Sequence, residues 1–147
     1  MRMDTATRSA MDERAVAGVV RDYFESWFEG DAERMKRSLH PKLAKRALLA
    51  GSFAAGNRDV GEADPLDEDT AQTMVAATGK GIGKTRATTP EERAFEIVVE
   101  DVYDTIASVS VRSPIYHEYL HLVRTREGWQ IVNALWQRTL RDSTERR

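Results

Sequence analysis

The 147-residue chain contains no cysteine. That excludes disulfides, zinc–thiolate centres and thiol nucleophiles together, and it fits a reducing compartment. Net charge is nearly absent too: 22 Lys and Arg stand against 24 Asp and Glu, leaving −2. A nucleic-acid-binding chain normally carries a basic field, so that class is excluded. No apolar run approaches the ~20 residues of a membrane span. The opening stretch from Met1 to Arg14 lacks the apolar centre of a signal peptide. The expected location is cytoplasmic, with no nucleic-acid and no membrane partner.

What is present is ordinary globular material, 41% hydrophobic and 31% charged. The length predicts one domain over residues 1–147, with an ordered core from about 10 to 140, burying roughly two thirds of its unfolded surface. Ser9 and Asp12 have the spacing of a helix-capping box. After them Val16, Val20, Tyr23, Phe24, Trp27 and Phe28 recur at helical spacing. Gly30 should end that helix, and Asp31 should cap a shorter one through about Ser38, stopped by His40-Pro41. Lys42–Ala50 suits a helical turn or a short edge strand, and Gly51–Glu62 reads as loop. Asp64-Pro65 should start a third helix with Leu66, Ala71, Met74 and Val75 inward, ending near Gly79.

Gly79–Arg93 is rich in Gly, Lys, Arg and Thr. It reads as a mobile surface loop, or a lid over a pocket mouth. Its Gly79-Lys-Gly-Ile-Gly83-Lys84-Thr85 has one residue too few for a phosphate loop. The acidic run Asp64–Asp69 lacks the alternation and central glycine of a calcium loop. Four strands follow: Ala94–Glu100, Thr105–Arg112, Ile115–Arg124 and Trp129–Arg138.

The last turn sets which strand residues share a face. A three-residue loop Arg126-Glu127-Gly128, with glycine in the bulge position, pairs His121 with Asn133, Tyr119 with Leu135 and His117 with Gln137. A two-residue turn shifts every side chain to the other face. In the first register His117, Tyr119, His121 and Asn133 make a polar wall suited to a pocket. Leu120, Leu122, Val132, Ala134 and Trp136 make an apolar face that would need covering, and a homodimer through it is expected.

Helices followed by a curved sheet give an α+β order. Tyr23-Phe-Glu-Ser-Trp27-Phe-Glu-Gly30-Asp31 and Leu39-His40-Pro41 resemble the opening of the nuclear transport factor 2-like (NTF2-like) superfamily, also called SnoaL-like. Asp101–Val111, Tyr119–Val123 and Glu127–Asn133 look specifically like the family labelled putative lumazine-binding. The resemblance spans roughly residues 12–138. It implies a cone of two to three N-terminal helices packed on a curved antiparallel sheet of four to six strands. It also implies a pocket at the wide end for a small hydrophobic or heterocyclic molecule, and commonly a dimer.

Ketosteroid isomerases share that fold, and the resemblance places Tyr23 where their hydrogen-bond-donating tyrosine stands. At the position of their general base the chain has Ala47. Without a base that proton transfer has no engine, so Tyr23 reads first as a pocket-wall or core tyrosine. His117 and His121 sit about 13 Å apart along one strand face, too far to share a metal, and no metal or cofactor is expected. They read as a polar stripe. Alternatively one serves as the general base of a dehydratase, isomerase or cyclase. Catalytic candidates are therefore His121, His117, Tyr23 and Asp104, the enzyme reading gaining if Asp104 or Glu118 reaches a pocket histidine. His40 reads as structural. The leading expectation is a small-molecule-binding protein with Tyr23, Trp27, Met74, His117, Tyr119, His121 and Asn133 around an aromatic pocket. A dimerising accessory domain with a filled core is the third reading.

Overall fold

Helix α1, Thr5–Glu29, begins earlier than the Ser9 box predicts, because Asp4 caps it by accepting a hydrogen bond from the Thr7 amide at 2.7 Å. In this computed structural model residues 4–48 and 65–140 are described. The loop read over Gly51–Glu62 and the tail from Asp142 lie outside them. Val16, Val20, Tyr23, Phe24, Trp27 and Phe28 form the buried stripe of α1, and Gly30, with φ 76°, ends it in the left-handed region. Asp31 then caps α2, Ala32–Ser38. Arg34 of α2 reaches back to Asp22, Glu25 and Glu29 of α1, fastening the two helices together.

Strand β1, Leu39–Leu48, resolves the ambiguous segment as strand. It pairs in parallel with the last strand, its register slipping between Leu39 and Ala44. Pro41, which has no amide hydrogen to give, sits at that slip. Residues 66–69 are not the expected helix but β2, Leu66–Asp69, which pairs antiparallel with the outer edge of β1. The helix starts later, as α3, Ala71–Gly79, where Thr70 and Thr73 cap one another. Edge pairing thus overrides the Asp64-Pro65 start signal. The stretch expected to be loop carries α4, Ile82–Arg86, entered through Gly81 at φ 77°. Gly83 packs so tightly on Trp27 that a Cβ there would stand 2.3 Å from the Trp27 carbonyl oxygen.

Strands β3, Glu96–Tyr103, β4, Ile106–Arg112, β5, Tyr116–Thr125, and β6, Gly128–Arg138, follow as an antiparallel meander. The first turn is Asp104-Thr105, later than expected, with Asp104 at φ 48°. Sheet order is β2-β1-β6-β5-β4-β3. The helices cover one face, and the core lies between them and Val109, Val111, Leu120, Leu122 and Ile131.

The β5–β6 hairpin holds the main correction. Near the turn Thr125 pairs with Gly128 and Leu122 with Ile131, one residue out from the expected register. Val132 is then skipped as a bulge, and His121–Asn133, Tyr119–Leu135 and His117–Gln137 pair as expected. The faces, however, are exchanged. Leu120 and Leu122 are 0% and 1% exposed, and Ala134 and Trp136 are also buried beneath the helices, so these four cannot form an exposed interface. Val132, at the bulge, is half-buried. Tyr119, His121 and Asn133 are exposed on the outer face, with His117 half-buried beside them. Burial of four apolar side chains outweighs the polar stripe in choosing the inner face.

Candidate functional site

Two of the inward positions on the sheet carry charge. Lys45 continues the inward phase of Leu43 and Ala47 on β1, and Glu118 continues that of Tyr116, Leu120 and Leu122 on β5. Both are buried, at 8% and 2% exposed. Lys45 Nζ stands 3.2 Å from Glu118 Oε1, and it also donates to the Tyr23 hydroxyl. Tyr23 in turn donates to the same Glu118 Oε1 at 2.5 Å. The ammonium lies over the rings of Tyr23 and Trp136, at 5.0 and 5.5 Å from their centroids. A buried ion pair with two further hydrogen-bonding and ring contacts recovers part of its desolvation cost.

A cavity of about 40 Å³ opens beside this cluster, lined by Phe24, Trp27, Met74 and Trp136 and by Asp69 and Arg86 toward α3 and α4. Trp27 Nε1 donates to the Tyr116 hydroxyl at 2.8 Å, which sets one wall. Burial, reinforced by the negative charge of Glu118, pushes the Tyr23 phenol well above its ordinary range. Tyr23 therefore stays protonated and acts as a donor. Burial raises Tyr116 also, against the opposing pull of Trp27 and Arg86.

Of the residues expected at a pocket, the structure brings Tyr23, Trp27 and Met74 together at this cavity. His117, Tyr119, His121 and Asn133 lie on the opposite side of the sheet. Asn133 Nδ2 does approach His121 Nδ1, at 3.4 Å, but on the exposed face. No histidine lines the cavity, so the histidine-base arrangement is not assembled there. Asp104 sits at the β3–β4 turn with Arg124, 3.3 Å away, and Glu118 reaches Tyr23 rather than a histidine. His40 accepts from the Lys42 amide at 3.0 Å, a local structural role. Ala47 is fully buried. Lys45, Tyr116, Asp69 and Arg86 were missed by sequence reasoning, and Glu118 was weighed only as a partner for a histidine. The available signal was a charged residue in the inward phase of two apolar strands. Among the described residues no cluster of three or more His, Asp or Glu is placed to hold a metal. None of the described helices is long and apolar enough to cross a membrane.

An open mixed sheet wrapped on one side by helices, with a cavity under the first helix, defines an NTF2-like protein. The particular family follows from the sequence: the profile described as putative lumazine-binding matches residues 11–137, and the chain belongs to that family. Solved structures agree on the fold. An NTF2-like protein of unknown function from Silicibacter pomeroyi is 16% identical, covering 93% of this chain and 100% of its own, with a TM-score of 0.62. One from Shewanella baltica is 13% identical, covering 95% and 99%, at 0.61. A domain of unknown function with a cystatin-like fold from Nostoc punctiforme is 17% identical, covering 98% and 83%, at 0.59. No curated protein matches the chain.

Proposed function

We propose that this protein binds a small planar heterocyclic molecule in the cavity between α1 and the inner face of β1, β5 and β6. The observation that carries the reading is the buried Tyr23–Lys45–Glu118 cluster at an aromatic-walled cavity. Apolar side chains of the same volume would serve a core at least as well, so a charged cluster kept there favours a binding role over a packing one. The putative lumazine-binding label of the family supports a heterocycle as the ligand class. The lack of cysteine supports a cytoplasmic location.

Self-association is the second part of the reading. Leu48, Tyr119 and Leu135 lie together on the outer face of the sheet, the last two each 55% exposed. A second copy of the same face would cover them, with the interface residues exchanged relative to those expected from sequence.

The test is thermal unfolding against a panel of aromatic heterocycles. A ligand at a hundred times its dissociation constant raises stability by about 2.7 kcal/mol. The size of the cavity, room for about three waters, favours the accessory-domain reading if nothing in the panel moves the midpoint. An enzyme would need a base other than histidine at this site.

A further inference from the structure

Resting on the proposed binding role, we infer that the cavity reads the lactam edge of a neutral ligand, an N–H beside a C=O, with Glu118 Oε2 as acceptor and the third Lys45 N–H as donor. Both hydrogen bonds to Glu118 fall on Oε1, from Tyr23 and from Lys45. Its other oxygen accepts from no described residue, and it is not among the fully buried unpartnered atoms. Because the residue is only 2% exposed and borders the cavity, that oxygen opens onto the cavity. A carboxylate oxygen that opens onto a cavity rather than onto bulk water is met best by a donor there. The Lys45 ammonium has three N–H groups and spends two, on Tyr23 and on Glu118 Oε1. The third has only ring faces beside it, Tyr23 and Trp136, and a ligand acceptor would serve it better. These unmet groups are neighbours, because the carboxylate that carries Oε2 is itself 3.2 Å from Nζ through Oε1.

Charge selects against ions. Two cations, Lys45 and Arg86, and two carboxylates, Asp69 and Glu118, line the cavity. A net-charged ligand would leave that balance broken beside the buried Lys45–Glu118 pair. Trp27 and Trp136 favour a flat molecule. The 40 Å³ available takes the polar edge of such a ring. The remainder must displace the Met74 thioether, a side chain with three soft torsions.

The probe is the Trp27 indole N–H in the ¹H–¹⁵N spectrum of the wild-type protein, titrated with 2-pyridone, N-methyl-2-pyridone, benzoate and benzylamine. Expected is a saturable shift with 2-pyridone, at least about tenfold tighter than with its N-methyl form, because blocking the N–H leaves Glu118 unmet. The two ions should leave the resonance in place. Equal binding of the N-methyl form, or preference for either ion, overturns the lactam assignment while leaving a binding cavity standing. If none of the four moves Trp27 but another heterocycle does, the lactam assignment fails alone. If no heterocycle moves it, the binding reading fails as well.

Discussion

Replacing Lys45 by methionine keeps the volume and removes the charge. Glu118, with its side chain 3% exposed, would retain Tyr23 as its one hydrogen-bond donor among the described residues. Breaking one half of a buried pair in this way costs about 3–5 kcal/mol, a large share of the roughly 5–15 kcal/mol that holds a domain together. Glu118→Leu should cost a similar amount, since it strands the ammonium instead. Removing both charges should not cost the sum. The Lys45→Met/Glu118→Leu protein leaves the Tyr23 hydroxyl unpaired, at about 1–3 kcal/mol, and adding Tyr23→Phe removes that too. The triple variant is then expected within about 1 kcal/mol of wild type or above it. Urea unfolding followed by tryptophan fluorescence gives all four values. Additive losses, or a Lys45→Met cost under about 1 kcal/mol, would mean that the cluster is not a coupled buried unit. A stable triple variant that no longer binds a ligand would assign the cluster to function rather than to folding.

Other consequences can be measured directly. Gly83→Ala would normally gain up to about 1 kcal/mol of helix propensity. Here its Cβ meets the Trp27 carbonyl at 2.3 Å, so a net loss of about 1–3 kcal/mol is expected in thermal unfolding. Burial and Arg112 hold the His117 imidazole below its ordinary 6.5, so the unfolded chain takes the proton more readily. Its contribution is complete above that pH and falls away as pH drops below it. His117→Gln should flatten this acid limb of the stability profile, and an unchanged limb would remove His117 as its source. On the proposed self-association, Tyr119→Lys with Leu135→Lys should turn a wild-type dimer into a folded monomer in sedimentation, and a monomeric wild type would refute the proposal. Persistence of a dimer would place the interface elsewhere. Thr70→Ala removes the α3 cap and should cost about 1 kcal/mol.

Local signals carried much of the architecture. The apolar recurrence from Val16 to Phe28, the Gly30-Asp31 junction and the alternation of Phe95, Ile97 and Val99 are each written in adjacent residues, and each forms as expected. Where structure depends on a distant partner, the reading failed. Residues 66–69 look like a helix start until the β1 edge 20 residues earlier offers pairing, as Leu48 does to Leu66 and Arg46 to Glu68. The bulge at Val132 has no composition cue, and it separates the right pairing of His121 with Asn133 from the turn argument that predicted it. The face was legible in a different way. Leu120, Leu122 and Trp136 are more apolar than His117, Tyr119 and His121, and an assumed partner subunit displaced that simpler argument. With that face turned outward, Glu118 had only a histidine to be weighed against, and Lys45 carried no assignment.

The parallel pairing of β1 with β6 also constrains how the chain acquires its structure. Leu39 and Ile131 lie about ninety residues apart in sequence and side by side in the sheet, a separation that slows folding. On the ribosome β1 and β2 therefore emerge long before the strand that joins them to the rest of the sheet. The backbone edge of β1 from Ala44 to Arg46 that pairs with Asn133 to Leu135 must wait for β6. Aggregation in this protein should begin from that waiting edge, and mutations that delay β6 should lower yield more than they lower the stability of the finished fold.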